Sequence, residues 1–221
     1  MPAVRAAADK LRRRLLDLAG DVYEIDPRDL TLRDGRIRSS DQSFDRGYTD
    51  VTQKLGNATL EAAGSRGPNP DEFRIQTFGC QVAQVAVDAA IGRVFVEHIW
   101  SVHDSGLIVN PLTATSQVEG GIMQGLGHAL SEERVVDPTT GAPTTDHLDE
   151  YKIPTIADTP EITVEFVSVP DARANHVGAK GLGEPPIIPT AAAIANAFTH
   201  ATGRRAAALP LTPQRVLDTL R

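Results

Sequence analysis

The sequence predicts an α+β fold, mixed sheets with flanking helices, on three observations. Two β-rich apolar runs, residues 80–87 and 93–102, are joined by the short segment Asp88-Ala89-Ala90-Ile91-Gly92 and predict a hairpin. An amphipathic stretch at the front and two punctuated stretches at the end predict helices. Between them lies a long helical pattern unusually rich in glycine.

Val4, Ala8, Leu11, Leu15 and Leu18 alternate spacings of four and three, which places one apolar stripe on a helix ending near Gly20. Asp34-Gly35, between Leu30-Thr31-Leu32 and Ile37, signals a hairpin, and residues 48–55 can form a short helix closed by Gly56. The turn-rich segment 64–71 (GSRGPNPD) marks a boundary, giving a helical and hairpin front section, residues 1–66, and a main section, 67–221. The hairpin runs of the main section are nearly all apolar, so their sheet is expected to be covered on both faces. Asn110-Pro111 ends the extended segment, and residues 113–133 read as a helix carrying Gly120, Gly121, Gly125 and Gly127. Each glycine costs a helix about 1 kcal/mol against Ala, so something must press close to that backbone. A second hairpin is expected through residues 137–141, a strand over 161–169, a long loop over 171–186, and an Ala-rich helix over 189–202 stopped by Gly203. Thr212-Pro213 supplies an N-cap and first-turn proline for a closing helix through Leu220.

Composition narrows the function. With 22 Lys+Arg against 29 Asp+Glu, the formal charge of −7 offers no footprint for nucleic acid or an anionic membrane. The one cysteine, Cys80, allows neither an internal disulfide nor a Cys-rich metal or iron–sulfur site, and reads as a small buried thiol. Arginines interrupt the apolar residues at the front, and no apolar run is long enough for a membrane span, so neither signal peptide nor membrane helix is expected. The six histidines form no metal-binding motif, and His103-Asp104 reads as a turn at a strand end. Dinucleotide and Walker fingerprints are missing, which rejects Rossmann and P-loop readings.

The most informative stretch is residues 178–186 (GAKGLGEPP). Closely spaced glycines let backbone N–H groups turn toward an anion. Glu184 follows directly, held by Pro185 and Pro186 and set against apolar Ile187 and Ile188. Burial there would raise its pKa toward that of a general base. Alternatively, Glu184 caps the following helix and the glycines form a plain loop. The glycine helix with Gln117 and Glu119 has two readings also, close ligand approach or tight packing.

Five runs, in this order, resemble the C-terminal part of the molybdenum-cofactor-binding large subunit of the xanthine dehydrogenase/aldehyde oxidase family: FGCQVAQV from Phe78, DSGLIVNP from Asp104, SQVEGG from Ser116, YKIP from Tyr151 and KGLGEPP from Lys180. The likeness covers essentially the whole chain, and its end, Ala193 through Arg204, resembles the bacterial aldehyde-oxidising subgroup. Two departures stand out: Ser116 replaces the usual glycine before the motif glutamine, and the upstream half of the family's large subunit, with its other cofactor loops, is not visible in this sequence.

The resemblance implies the molybdopterin-binding domain fold and hydroxylation of aldehydes or N-heterocycles with oxygen from water. Glu184 would be the catalytic base. Gln117 would contact the pterin, Lys180, Gly181, Leu182 and Gly183 would cradle it, and Leu107, Ile108, Val109, Asn110, Pro111, Leu112 and Thr113 would line its dinucleotide end. No side chain would ligate molybdenum directly. The implied cofactor is molybdenum-molybdopterin, in the cytosine dinucleotide form, with 2Fe-2S clusters and FAD on partner subunits. The implied partners are the upstream half of the large subunit, an iron-sulfur subunit and a FAD subunit, in the cytoplasm, or in the periplasm with an exported partner. The alternative is a non-catalytic remnant or assembly module of the same fold.

Overall fold

The computed structural model describes residues 2–69, 71–72 and 74–221, so Pro70 of the expected boundary loop and Met1 lie outside the described residues. The chain divides into two compact units, Met1–Asp71 and Glu72–Arg221.

In the first unit, helix α1 (Pro2–Tyr23) buries Leu15 and Ala19 against Leu30, Ile37 and Val51. It runs past the expected stop at Gly20. A Cβ at Gly20 would lie 2.6 Å from the Ile25 carbonyl oxygen, so this glycine serves a close approach and does not end the helix. Strands β1 (Leu30–Arg33), β2 (Arg36–Ser39) and β3 (Asp45–Gly47) form an antiparallel sheet in that order, the third strand being unforeseen. Asp34 and Gly35 both have positive φ, 51° and 74°, as a two-residue hairpin turn requires. Helix α2 (Tyr48–Thr52) continues into a 3₁₀ turn that ends at Gly56, φ 60°.

In the second unit, β4 (Phe78–Asp88) and β5 (Arg93–Asp104) form the expected hairpin, with a register shift at Gln84/Val85. Strand β6 (Glu161–Phe166) joins β5 in parallel, making a mixed sheet of order β4-β5-β6. Helix α3 (Pro111–Leu130) begins earlier than expected because the Asn110 side chain accepts from the Thr113 amide and Pro111 fits the first turn. It also ends earlier, at Leu130, with the Ser131 and Glu132 amides both turning back to the Gly127 carbonyl. Residues 136–143 make a single bridge, Val136 with Pro143, and not a stranded hairpin. Helices α4 (Thr190–Thr202) and α5 (Pro213–Leu220) close the unit, the latter N-capped by Thr212 as expected.

The core joins Val94 and Ile99 of the sheet to Val118, Ile122, Leu126, Ile194, Phe198 and Val216 of the helices. Each such side chain contributes roughly 1.5–3 kcal/mol by leaving water. The expectation of a sheet covered on both faces is corrected. Along β5 burial alternates, and Val82, Trp100 and Val102 are exposed on the other face. Cys80 lies on that face too and is exposed, not buried. Among the described residues, no helix is long and apolar enough to cross a membrane, and no cluster of His, Cys, Asp and Glu has metal-binding geometry.

Candidate active site

The site is built where β5 ends. Asp104 there accepts from the Gly106 amide (3.1 Å) and from Lys180 Nζ (2.9 Å). Gly106 has φ 66°, and a Cβ on it would lie 2.1 Å from the Gly178 carbonyl oxygen, so only glycine lets the two loops meet. Two backbone bonds then clamp those loops together, Leu107 N–H to Gly178 O (2.9 Å) and Lys180 N–H to Ser105 O (2.7 Å). Asn175 braces the second loop by donating to Ala179 O (2.6 Å) and accepting from the Val177 and Gly178 amides. From α3, Gln117 Nε2 donates to the Gly183 carbonyl oxygen (2.7 Å).

These tethers enclose a cleft of about 500 Å³. Leu107, Ile108, Val109, Asn110, Thr113, Gln117, Lys180, Leu182 and Gly183 line it, together with Ser105, Ala114 and Ala179, which sequence reasoning did not single out. Ser105 stood inside the Asp104–Pro111 run, and its buried hydroxyl has no hydrogen-bond partner among the described residues. Pro111 and Leu112 are not part of the lining, since they form the outward first turn of α3, where Leu112 is 77% exposed. Gly181 instead lines an adjoining concavity with Gly183, Glu184, Pro185 and residues 75–77. Lys180 is shared by both hollows, but its ammonium is committed to Asp104 and its side chain is 7% exposed. That bond and the Gly106 amide hold the Asp104 carboxyl below the usual carboxylate range.

Glu184 lines the second hollow and is exposed, which corrects the expectation of a buried carboxylate. Pro186, not Glu184, is the residue driven into the interior, and Ile188 is 74% exposed. The capping alternative also falls. Helix α4 starts at Thr190, and Glu184 belongs to a preceding turn closed by Ile187 N–H to its own carbonyl oxygen (3.1 Å). The α3 glycines resolve differently from one another. Cβ atoms at Gly121 and Gly125 would press on Pro186 and Thr190, so these two serve packing, whereas Gly120 meets nothing within 4 Å.

The family model described as molybdopterin cofactor-binding domain matches residues 1–160. The chain belongs to that family. It is 36% identical over 228 residues to the xanthine dehydrogenase molybdenum-binding subunit of Escherichia coli O157:H7, covering 98% of this chain and 29% of that protein. To the aldehyde oxidoreductase molybdenum-binding subunit of Escherichia coli K12 it is 34% identical, again over 98% of this chain and 29% of the relative. The crystal structure of quinoline 2-oxidoreductase from Pseudomonas putida 86 superposes with a TM-score of 0.75 at 28% identity, over 96% of this chain and 28% of that one. The chain thus spans under a third of the length of the relatives it matches.

As a molybdopterin cofactor-binding domain, the chain has loops that fit an anionic cofactor. Gly181 and Gly183 face open space, with no atom of the described residues beyond their chain neighbours within 4 Å of where a Cβ would stand. Among the described residues, the amides of Gly181, Leu182, Gly183 and Glu184 donate to no protein acceptor. A concave loop of free N–H groups beside a mostly apolar cleft suits the phosphates and the flat ring system of a pterin.

Proposed function

We propose that this chain is the cofactor-holding C-terminal part of a molybdenum hydroxylase that oxidises aldehydes or N-heterocycles. One observation carries the reading: two segments distant in sequence, one supplying Leu107, Ile108, Val109, Asn110, Thr113 and Gln117 and the other Lys180, Leu182 and Gly183, converge on one cleft, and Glu184 lines the adjoining hollow with Gly181.

In this reading the amides of 181–183 and the cleft wall from Leu107 to Asn110 hold the pterin, in its cytosine dinucleotide form. When bound, the molybdenum cofactor supplies the redox chemistry by taking up the two electrons of substrate oxidation. Gln117 keeps the loop in place through the Gly183 carbonyl and presents its remaining amide atoms to the cleft. The exposed Glu184 carboxylate takes a proton at its free Oε from the oxygen nucleophile derived from water. Its access to solvent in this chain fits a base that becomes enclosed by the upstream half of the large subunit. An iron-sulfur subunit carrying 2Fe-2S clusters and a FAD subunit would carry electrons away, in the cytoplasm, because one cysteine cannot hold such clusters here.

The test is Glu184→Gln in the assembled, molybdenum-loaded enzyme. Size and hydrogen bonding persist while the proton acceptor is lost, so kcat falls by at least ~10²–10⁴ with molybdenum content unchanged. Near-parental turnover would remove Glu184 from the base role. An assembled complex inert even with the parental chain would favour the non-catalytic reading.

A further inference from the structure

Behind the Glu184 loop runs a chain of buried polar groups that the cofactor reading leaves unused. Gln81, on the buried face of β4, donates through Nε2 to the Pro186 carbonyl oxygen (2.8 Å) and to Ser101 Oγ (3.1 Å). Thr190 Oγ1 approaches Gln81 Oε1 at 2.7 Å and the Pro186 carbonyl oxygen at 3.2 Å, donating its single hydrogen between them. Ser101 Oγ lies 2.9 Å from His103 Nε2. Gln81 is 9% exposed, Ser101 1%, and Thr190 and His103 0%. Burial pushes the His103 imidazole below its ordinary pKa. Ser101 already accepts from Gln81, and its own hydrogen is free for His103 Nε2.

Apolar side chains would fill this space at lower desolvation cost, so the polar chain has to be explained by its direction. It ends on one atom, the Pro186 carbonyl oxygen. Pro185 and Pro186 have φ fixed by their rings, and the turn closed by the Ile187 amide on the Glu184 carbonyl oxygen (3.1 Å) holds the rotations between them. Little rotation therefore separates Pro186 from Glu184. On the other side of Glu184, the Gly183 carbonyl is held by Gln117. The glutamate stands between two carbonyls, each tethered by a glutamine amide from a different element.

We propose that Gln81 and Thr190, supported by Ser101 and His103, are positioning residues that hold the Pro186 carbonyl and thereby aim the Glu184 carboxylate. The inference rests on the assignment of Glu184 as base. Its side chains touch neither substrate nor cofactor.

Thr190 separates this role from packing, because valine keeps its shape without the hydroxyl and serine keeps the hydroxyl without the methyl. In the full chain, hydrogen exchange of the Ile187 amide, which closes the Glu184 turn, rises about tenfold in Thr190→Val and stays near parental in Thr190→Ser. In the assembled enzyme, Thr190→Val lowers kcat about tenfold with KM little changed, and Thr190→Ser restores it. Gln81→Met, similar in shape and unable to donate, reproduces both effects should a Thr190 variant fail to fold. Loss in Thr190→Ser equal to that in Thr190→Val, or unchanged Ile187 exchange in both Thr190→Val and Gln81→Met, overturns the proposal. Glu184→Gln measured in parallel keeps the two claims apart: retained turnover there refutes the base, while the exchange data still decide the tether.

Discussion

Gly120 and Gly121 are neighbours in α3, yet replacing each by alanine acts in opposite directions. Both substitutions gain the same helix propensity, about 1 kcal/mol. At Gly120 the new methyl meets nothing within 4 Å, so the gain stands. At Gly121 it would lie 2.6 Å from Pro186 Cβ and 3.2 Å from the Ile187 nitrogen, in a loop that the buried polar chain keeps from yielding. Such overpacking costs ~1–3 kcal/mol. The helix contribution is common to both variants, so their difference isolates the clash. For a chain of this size it amounts to roughly 2–12 °C in Tm, with Gly120→Ala the more stable. Thermal unfolding of the two single variants followed by circular dichroism checks this directly. Equal melting temperatures would refute the close contact between α3 and the loop that carries Glu184.

Gln117→Ala releases the Gly183 carbonyl and should lower molybdenum content per assembled complex about two- to tenfold, in line with the ~0.5–1.5 kcal/mol net worth of an exposed hydrogen bond; full occupancy on metal analysis counts against that tether. Asp104→Asn should destabilise by ~1–3 kcal/mol near neutral pH, because it leaves the Lys180 ammonium with a neutral partner. The Asp104 carboxyl is held below its ordinary value when folded, so its contribution is complete above the unfolded carboxylate pKa and is lost as pH falls through the lower, folded one. The gap between parent and variant in urea unfolding therefore closes below about pH 4, and a constant gap down to strong acid would contradict the ion pair.

Much of the fold was legible because local chemistry and tertiary need agreed. Asp34-Gly35, Asn110-Pro111 and Thr212-Pro213 each carry their own structural instruction, and each lies where that instruction puts it. Gly20 misled because a helical glycine reads as a stop, while the close approach of Ile25 is visible only in three dimensions. Sheet burial misled for a related reason. Val82, Trp100 and Val102 are apolar enough for a covered strand, and strand composition alone does not say which face meets a helix. In the site, the glycine spacing of 178–183 was readable, but the exposure of Glu184 was not. Its apolar neighbours in sequence point elsewhere, Pro186 inward and Ile188 outward. Gln81 was also overlooked, because nothing local separates it from Gln84 in the same strand and its partner Pro186 lies 105 residues away.

The central claim is that the free backbone of residues 181–183 holds the cofactor. Gly181→Val and Gly183→Val test it most directly, because nothing among the described residues stands within 4 Å of either added Cβ and neither glycine needs a positive φ. The fold should therefore tolerate both, with Tm near parental, while the side chain fills the space the pterin needs. Metal analysis of the assembled complex is predicted to show at least a tenfold loss of molybdenum in each variant. Stoichiometric molybdenum in both, at unchanged Tm, would contradict the claim.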